Sequence, residues 1–183
     1  MGRRVLFLGP PGAGKGTQAA MLATALGVPH VSTGAMLREA VAEGTELGKR
    51  ADSIMAAGDL VPDDIVVAIV GERLARDDAA CGYLLDGFPR NIAQAQALSE
   101  TLGDDSVEVA LLLTVDEDEI IDRLLKRAAE GRADDNEDTI RRRLEVYRRE
   151  TEPMVAAYGD KVVTVEGAGA IDDVFAGVVR ALV

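Results

Sequence analysis

The chain has 183 residues, 48% of them hydrophobic, enough to bury one core but not several independent domains. A formal net charge of −12 and only 3% aromatic residues argue against a nucleic-acid partner, which wants a basic face and stacking rings. A single cysteine, Cys81, and a single histidine, His30, exclude an internal disulfide and a four-ligand zinc site.

The first apolar run, Arg4–Leu8, reads as a buried strand. It is four apolar residues long before Gly-Pro-Pro, too short for a signal peptide. Position 6 is Leu, which lacks the hydroxyl of a myristoylation signal. No stretch reaches the length of a membrane span, so a cytoplasmic protein is expected. Residues 9–17 follow as GPPGAGKGT, with a helix over Gln18–Leu26 that stops at Gly27. Strand, glycine-rich turn, lysine and helix in that order form a phosphate-binding loop. Gly12, Ala13, Gly14 and Gly16 leave backbone N–H groups free to turn inward as an anion nest, and Lys15 adds a full charge. The hydroxyl expected beside the lysine to ligate Mg²⁺ is missing at Gly16 and comes one place later, at Thr17. Mg²⁺ is therefore expected through water and substrate phosphates rather than by direct ligation.

Pro29–Val31 reads as a second strand, with His30 a local hydrogen-bonding residue at a strand edge. Ser32–Pro62 carries two helical patterns and little strand signal, as an insertion would. The strand Tyr83–Leu85 then delivers Asp86-Gly87-Phe88-Pro89-Arg90 at its carboxyl end. Asp86 there can hold a Mg²⁺-bound water, and Arg90 offers a bidentate fork to a phosphate. Val107–Val115 is a fourth strand. Asp116 with Glu119 makes a carboxylate capping box ahead of Ile120, Ile121, Leu124 and Leu125, closed by Lys126 and Arg127. Arg123 and Arg127 lie one turn apart on a shared face. Ala128–Asp135 is a polar connector. Asp134 with Glu137 suggests a second box before Ile140, Leu144 and Tyr147, in a helix that Pro153 should end or kink. Lys161–Val165 is the last strand. Eight of the 16 arginines fall between Arg123 and Arg149, a positive focus in an acidic chain. This alternation predicts an α/β fold: a three-layer α/β/α phosphate-loop architecture, a five-stranded parallel sheet with helices on both faces and ligands beyond the strands' carboxyl ends.

GPPGAGKGTQ, Ser32-Thr33-Gly34, Gly58-Asp59-Leu60-Val61-Pro62-Asp63 and Asp86-Gly87-Phe88-Pro89-Arg90 resemble, in order and spacing, the motifs of adenylate kinases over essentially the whole chain. The resemblance implies a core of 1–31, 63–127 and 140–183, a monophosphate-binding insertion at 32–62 and a short lid at 128–139. It implies reversible transfer of the terminal phosphoryl of MgATP to AMP, giving two ADP, by a monomer serving adenine nucleotide homeostasis. It assigns Gly12–Thr17, Arg123 and Arg127 to ATP. To AMP it assigns Thr33, Gly34, Arg38, Leu60, Val61, Gly87, Arg90, Gln94, Arg132 and Arg143. Lys15, Asp86, Arg90, Arg123, Arg132 and Arg143 form its catalytic set, with Arg142, Arg148 and Arg149 left as solvated charges. The short connector is similar to the lid form that carries no zinc. Uridylate/cytidylate kinases share several motifs but typically have Ala for Thr33 and Asn for Gln94, so they remain the alternative. A nucleotide-dependent switch is disfavoured because no Asn-Lys-x-Asp base reader occurs. A binding module without catalysis would have no need of the full cationic set.

Overall fold

A computed structural model describes residues 3–129 and 136–182, apart from the side chain of Asp104. Five parallel strands form one sheet in the order β2-β3-β1-β4-β5: β1 (Arg4–Leu8), β2 (His30–Ser32), β3 (Tyr83–Asp86), β4 (Val109–Thr114) and β5 (Val162–Glu166). Strand side chains alternate between faces, and β1 shows the consequence. Leu6 and Leu8 join Val31, Leu85 and Ala110 in one core, beneath helices α2 (Thr33–Ala42), α3 (Glu46–Ala57), α4 (Asp63–Leu74) and α5 (Ile92–Leu102). Val5 and Phe7 face the other way. They meet Leu84, Leu111, Leu113 and Val165 beneath α1 (Lys15–Leu26) and α9 (Ile171–Arg180). The three layers and the five-stranded parallel sheet agree with the sequence reading.

A small third core joins Ile120 and Leu124 of α6 (Glu117–Ala129) to Ile140 and Leu144 of α7 (Glu137–Val146). The connector between these helices lies outside the described residues except at its start, where Ala128 and Ala129 extend α6. The cap of α7 is Asn136, whose side chain accepts from the Thr139 N–H at 3.0 Å, in place of the expected Asp134–Glu137 box. Asp134 itself lies outside the described residues. A short amide cap next to the helix competes well with a carboxylate two residues further back. After α7 the helix does not break at once. Tyr147–Thr151 widens into a π turn before α8 (Glu152–Val155), in which Pro153 is the second residue. Proline has no N–H for the i−4 carbonyl and its ring crowds it, which accounts for the expanded turn just ahead.

Other differences are at boundaries. The first helix starts at Lys15 rather than Gln18, β2 is displaced one residue, and β4 is shorter at both ends than its apolar run. Ser32–Pro62 holds two helices, α2 and α3, as its patterns indicate. They form a hairpin capped by Thr45, whose hydroxyl accepts from Gly48 N–H and donates to the Ala40 carbonyl.

Gly48 is what lets α2 and α3 touch. A Cβ there would stand 2.0 Å from the Ala40 carbonyl oxygen. Gly48→Ala is expected to lower unfolding stability by about 1–3 kcal/mol through overpacking. Gly71→Ala, in α4 with nothing within 4 Å of its Cβ, is expected to raise it by up to about 1 kcal/mol through helix propensity. Urea unfolding midpoints at constant slope check both signs.

Candidate active site

Strand pairing builds the site. β1 and β3 are neighbours, with Phe7 opposite Asp86, so the loop after β1 and the turn after β3 open side by side. Gly9 ends β1 at φ +136°, and a Cβ there would lie 2.5 Å from the Leu113 carbonyl of β4, so only glycine passes. Gly14 caps α1 in the left-handed conformation, at φ +91°, with no side-chain cap. The N–H groups of Thr17 and Gln18 already donate to the Gly14 carbonyl (3.1 and 3.2 Å), so those of Lys15 and Gly16, with no carbonyl one turn back in α1, are the ones left at the loop.

Lys15 sits inside that loop. Its Nζ donates to the carbonyls of Gly9 (2.7 Å) and Pro10 (2.8 Å). Burial pushes its ammonium down to about 8. Asp86 acts in the opposite direction, and the charges of Arg90 and Arg127 add to the fall. Asp86 lies at the end of β3, and Ser32 Oγ donates to its Oδ2 at 3.3 Å while His30 Nε2 stands 3.4 Å away. Burial works to raise this carboxyl, but the His30 imidazole beside it and the charges of Lys15 and Arg90 outweigh it and hold it below the ordinary carboxylate range. Asp86 is therefore an anion at neutral pH. A Cβ on Gly16 would lie 3.6 Å from Asp86 Oδ2, so position 16 faces the carboxylate but brings no hydroxyl to it.

The turn after Asp86 is held from four directions. Thr33 Oγ1 donates to the Gly87 carbonyl (2.8 Å), as does Arg90 Nε (2.8 Å). Arg90 N–H donates to Gln94 Oε1 (2.8 Å), and Thr151 Oγ1 donates to the Arg90 carbonyl (2.7 Å). The Phe88–Pro89 peptide is cis, with Phe88 buried. Gln94 is 1% exposed, and its Nε2 donates to Asp63 Oδ1 at 2.7 Å.

One continuous cleft of about 1070 Å³ runs over these groups. Its wall includes Gly12, Ala13, Gly14, Lys15, Gly16 and Thr17 of the loop, then Asp86, Gly87, Arg90 and Gln94. Thr33, Gly34, Arg38, Leu60 and Val61 line it from the insertion, and Arg123, Arg127 and Arg143 from α6 and α7. Arg132 lies outside the described residues. Arg123 is anchored to Glu119 Oε1 (2.5 Å) and to the carbonyls of Gly167 (2.9 Å) and Ala13 (3.4 Å), so α6 is pinned to the phosphate loop. Among the described residues no group of three or more Asp, Glu, His or Cys side chains is placed to hold a metal ion.

Sequence reasoning missed several cleft residues. Gly167 and Gly169 follow β5 and reach the cleft, a Gly-Ala-Gly-Ala turn at a strand's carboxyl end that topology alone could have flagged. Thr151 carries no local signal, since it meets Arg90 across 61 residues. Arg142 is a correction. Rather than a solvated charge only, it donates from Nε to Asp59 Oδ1 at 2.7 Å, and Thr139 Oγ1 beside it donates to the Ala56 carbonyl at 3.0 Å. These two bonds seat the insertion on α7. Arg148 and Arg149 do pair with surface carboxylates, Glu117 and Glu150.

The family model for adenylate kinase matches residues 7–163. An adenylate kinase of Corynebacterium diphtheriae is 51% identical over 181 residues, 98% of each chain. One of Thermobifida fusca is 54% identical over 176 residues, 93% of each, and one of Mycobacterium bovis is 49% identical over 182 residues, 98% of each. The phosphate loop, the acid-bearing turn and the arginine helices thus sit in a chain that belongs to the adenylate kinase family.

Proposed function

We propose that this protein transfers the terminal phosphoryl group of MgATP reversibly to AMP, giving two ADP, and so balances the adenine nucleotide pool. The observation that carries the proposal is the single cleft that joins the phosphate loop to the pocket of Val61 and Gln94, with Lys15, Asp86 and Arg90 at its middle. Two nucleotides lying head to head in that cleft bring their phosphates together where the cations converge.

In this reading Gly12–Thr17 cradle the ATP phosphates, with Arg123 and Arg127 over them. Thr33, Gly34, Leu60, Val61 and Gln94 enclose the AMP base. Gly87 turns the chain so that Arg90 reaches the AMP phosphate alongside Arg38 and Arg143, with Arg132 assigned here by resemblance. Thr33 Oγ1 and Gln94 already serve the 87–90 turn, so both shape the pocket as well as facing it. Gln94 has spent one N–H and one lone pair, and an amide keeps one more of each. That remaining pair complements the adenine edge, which presents a donor and an acceptor.

The attacking AMP oxygen is already anionic, so no general base is needed. The protein must hold two polyanions in line, neutralise the charge that spreads over the transferring group, and exclude water. Lys15, Arg90, Arg123 and Arg143 supply the charge. Closing of the insertion (32–62) and the short lid (128–139) over the core (1–31, 63–127 and 140–183) excludes the water. Ionised Asp86 with the Ser32 hydroxyl fits Mg²⁺ held through water, and the bound ion would screen the ATP phosphates. No helix among the described residues is long and apolar enough to cross a membrane. The reading is of a cytoplasmic monomer with small-molecule partners ATP, AMP and ADP, and no zinc.

Offered MgATP with AMP, UMP, CMP and GMP in turn, the protein is expected to turn over AMP fastest in a coupled ADP assay. Faster turnover of UMP or CMP would replace this reading with the pyrimidine one. Lys15→Met or Arg90→Ala is expected to lower kcat about 100-fold or more with the fold intact by circular dichroism. Near-wild-type turnover in either variant contradicts its role. The depressed Lys15 predicts a pH effect whose sign is fixed. The ammonium is charged below about 8 and loses its proton above it, so kcat/KM for MgATP should fall as pH rises through about 8. In Lys15→Arg, which stays charged, that limb should be absent.

A further inference from the structure

Asp63 closes the motif Gly58–Asp63 and opens α4, yet the roles assigned above leave it idle. Its carboxylate is turned toward the next helix. Oδ1 accepts from Gln94 Nε2 at 2.7 Å, and both oxygens accept from Asn91 Nδ2, at 3.0 and 3.2 Å. Asn91 is in turn the N-cap of α5, its Oδ1 accepting the Gln94 N–H at 2.8 Å. Gln94 is thus fixed at its backbone by Asn91, at Oε1 by Arg90 N–H and at Nε2 by Asp63.

An amide can rotate by half a turn and exchange its oxygen for its nitrogen with little change of shape. The Arg90 N–H alone resists that exchange through one bond. A carboxylate, which when ionised only accepts, resists it at the other end, because a flipped Gln94 would set oxygen against oxygen at Asp63. With Gln94 1% exposed, an unmet N–H would also carry a desolvation cost. We propose that Asp63 is a positioning residue for monophosphate selection: it locks the Gln94 amide in the one orientation that presents its spare N–H and lone pair to the base. This inference rests on the AMP reading of the cleft.

A bland alternative is that Asp63 only complements the dipole of α4. Asp64 occupies the same first turn and is exposed, so it isolates that effect. The test measures KM for AMP, KM for MgATP and the kcat/KM ratio of AMP over CMP in Asp63→Ala, Asp63→Asn and Asp64→Ala, each with and without Gln94→Ala. Asp63→Leu, similar in shape, substitutes if the alanine variant does not fold. Asp63→Ala should raise KM for AMP and narrow the AMP preference, each about tenfold, as loss of one positioned hydrogen bond does. KM for MgATP should hold. Asp63→Asn, which keeps one acceptor oxygen, should retain most of the preference. Asp64→Ala should leave it unchanged, and in the Gln94→Ala background the Asp63 effect should vanish. An equal loss in that background, or an unchanged preference in Asp63→Ala beside a selective wild type, overturns the inference alone. A wild type with no preference for AMP overturns the reading of the cleft and this inference with it.

Discussion

The parallel pairing of β1 with β3 is the constraint on which the site depends. Because Phe7 stands opposite Asp86, the strands end together, and the loop that holds Lys15 opens against the turn that holds Arg90. A slip of one residue would reverse the faces of Val5, Leu6, Phe7 and Leu8, all of them buried, and would pull Asp86 from its neighbours. The register that fills both cores is thus the same register that assembles the cations. Stability and chemistry are set by one pairing rather than by separate devices.

Charge explains the rest of the arrangement. A chain of net charge −12 repels polyanions at long range, so attraction has to be local. It is supplied by arginines on α6 and α7 that arrive at the cleft together, and by a lysine whose desolvated ammonium is held between two loop carbonyls. Asp86 offsets part of that desolvation and is itself kept ionised by Lys15 and Arg90. Lys15 and Asp86 therefore tune each other, and an incoming phosphate would strengthen the lysine's hold on its proton. The seam between the insertion and α7 is of a different kind. The Arg142–Asp59 pair is well exposed on both sides, and such pairs contribute little, which leaves the buried Thr139 hydroxyl on the Ala56 carbonyl as the firmer of its two bonds.

Much of this was legible in the sequence. β1 was readable to the residue because four apolar side chains end at a Gly-Pro-Pro stop. The phosphate loop and the Asp86–Arg90 turn were readable because their chemistry is local in sequence. The cap of α7 was misread because Asp134-Asp135-Asn136 offers three good caps in a row, and only the neighbour of the helix takes the role. Long-range partners left no local trace: Thr151 on the Arg90 carbonyl, Arg142 on Asp59, Asp63 on Gln94. Each is a polar residue on a helix, indistinguishable by periodicity from a solvated one until the helices are placed. Arg132, read only through resemblance, falls outside the described residues.

The claim that two nucleotides share one cleft, phosphate to phosphate, is tested most directly by a single molecule carrying both. Two adenosines joined through a chain of phosphates should span the site, and linkage should make the second contact intramolecular. Calorimetric titration should give one molecule bound per chain, far more tightly than either ATP or AMP, with prior saturation by either nucleotide abolishing the tight phase. Binding no tighter than ATP alone, with AMP still able to bind beside it, would contradict a shared cleft.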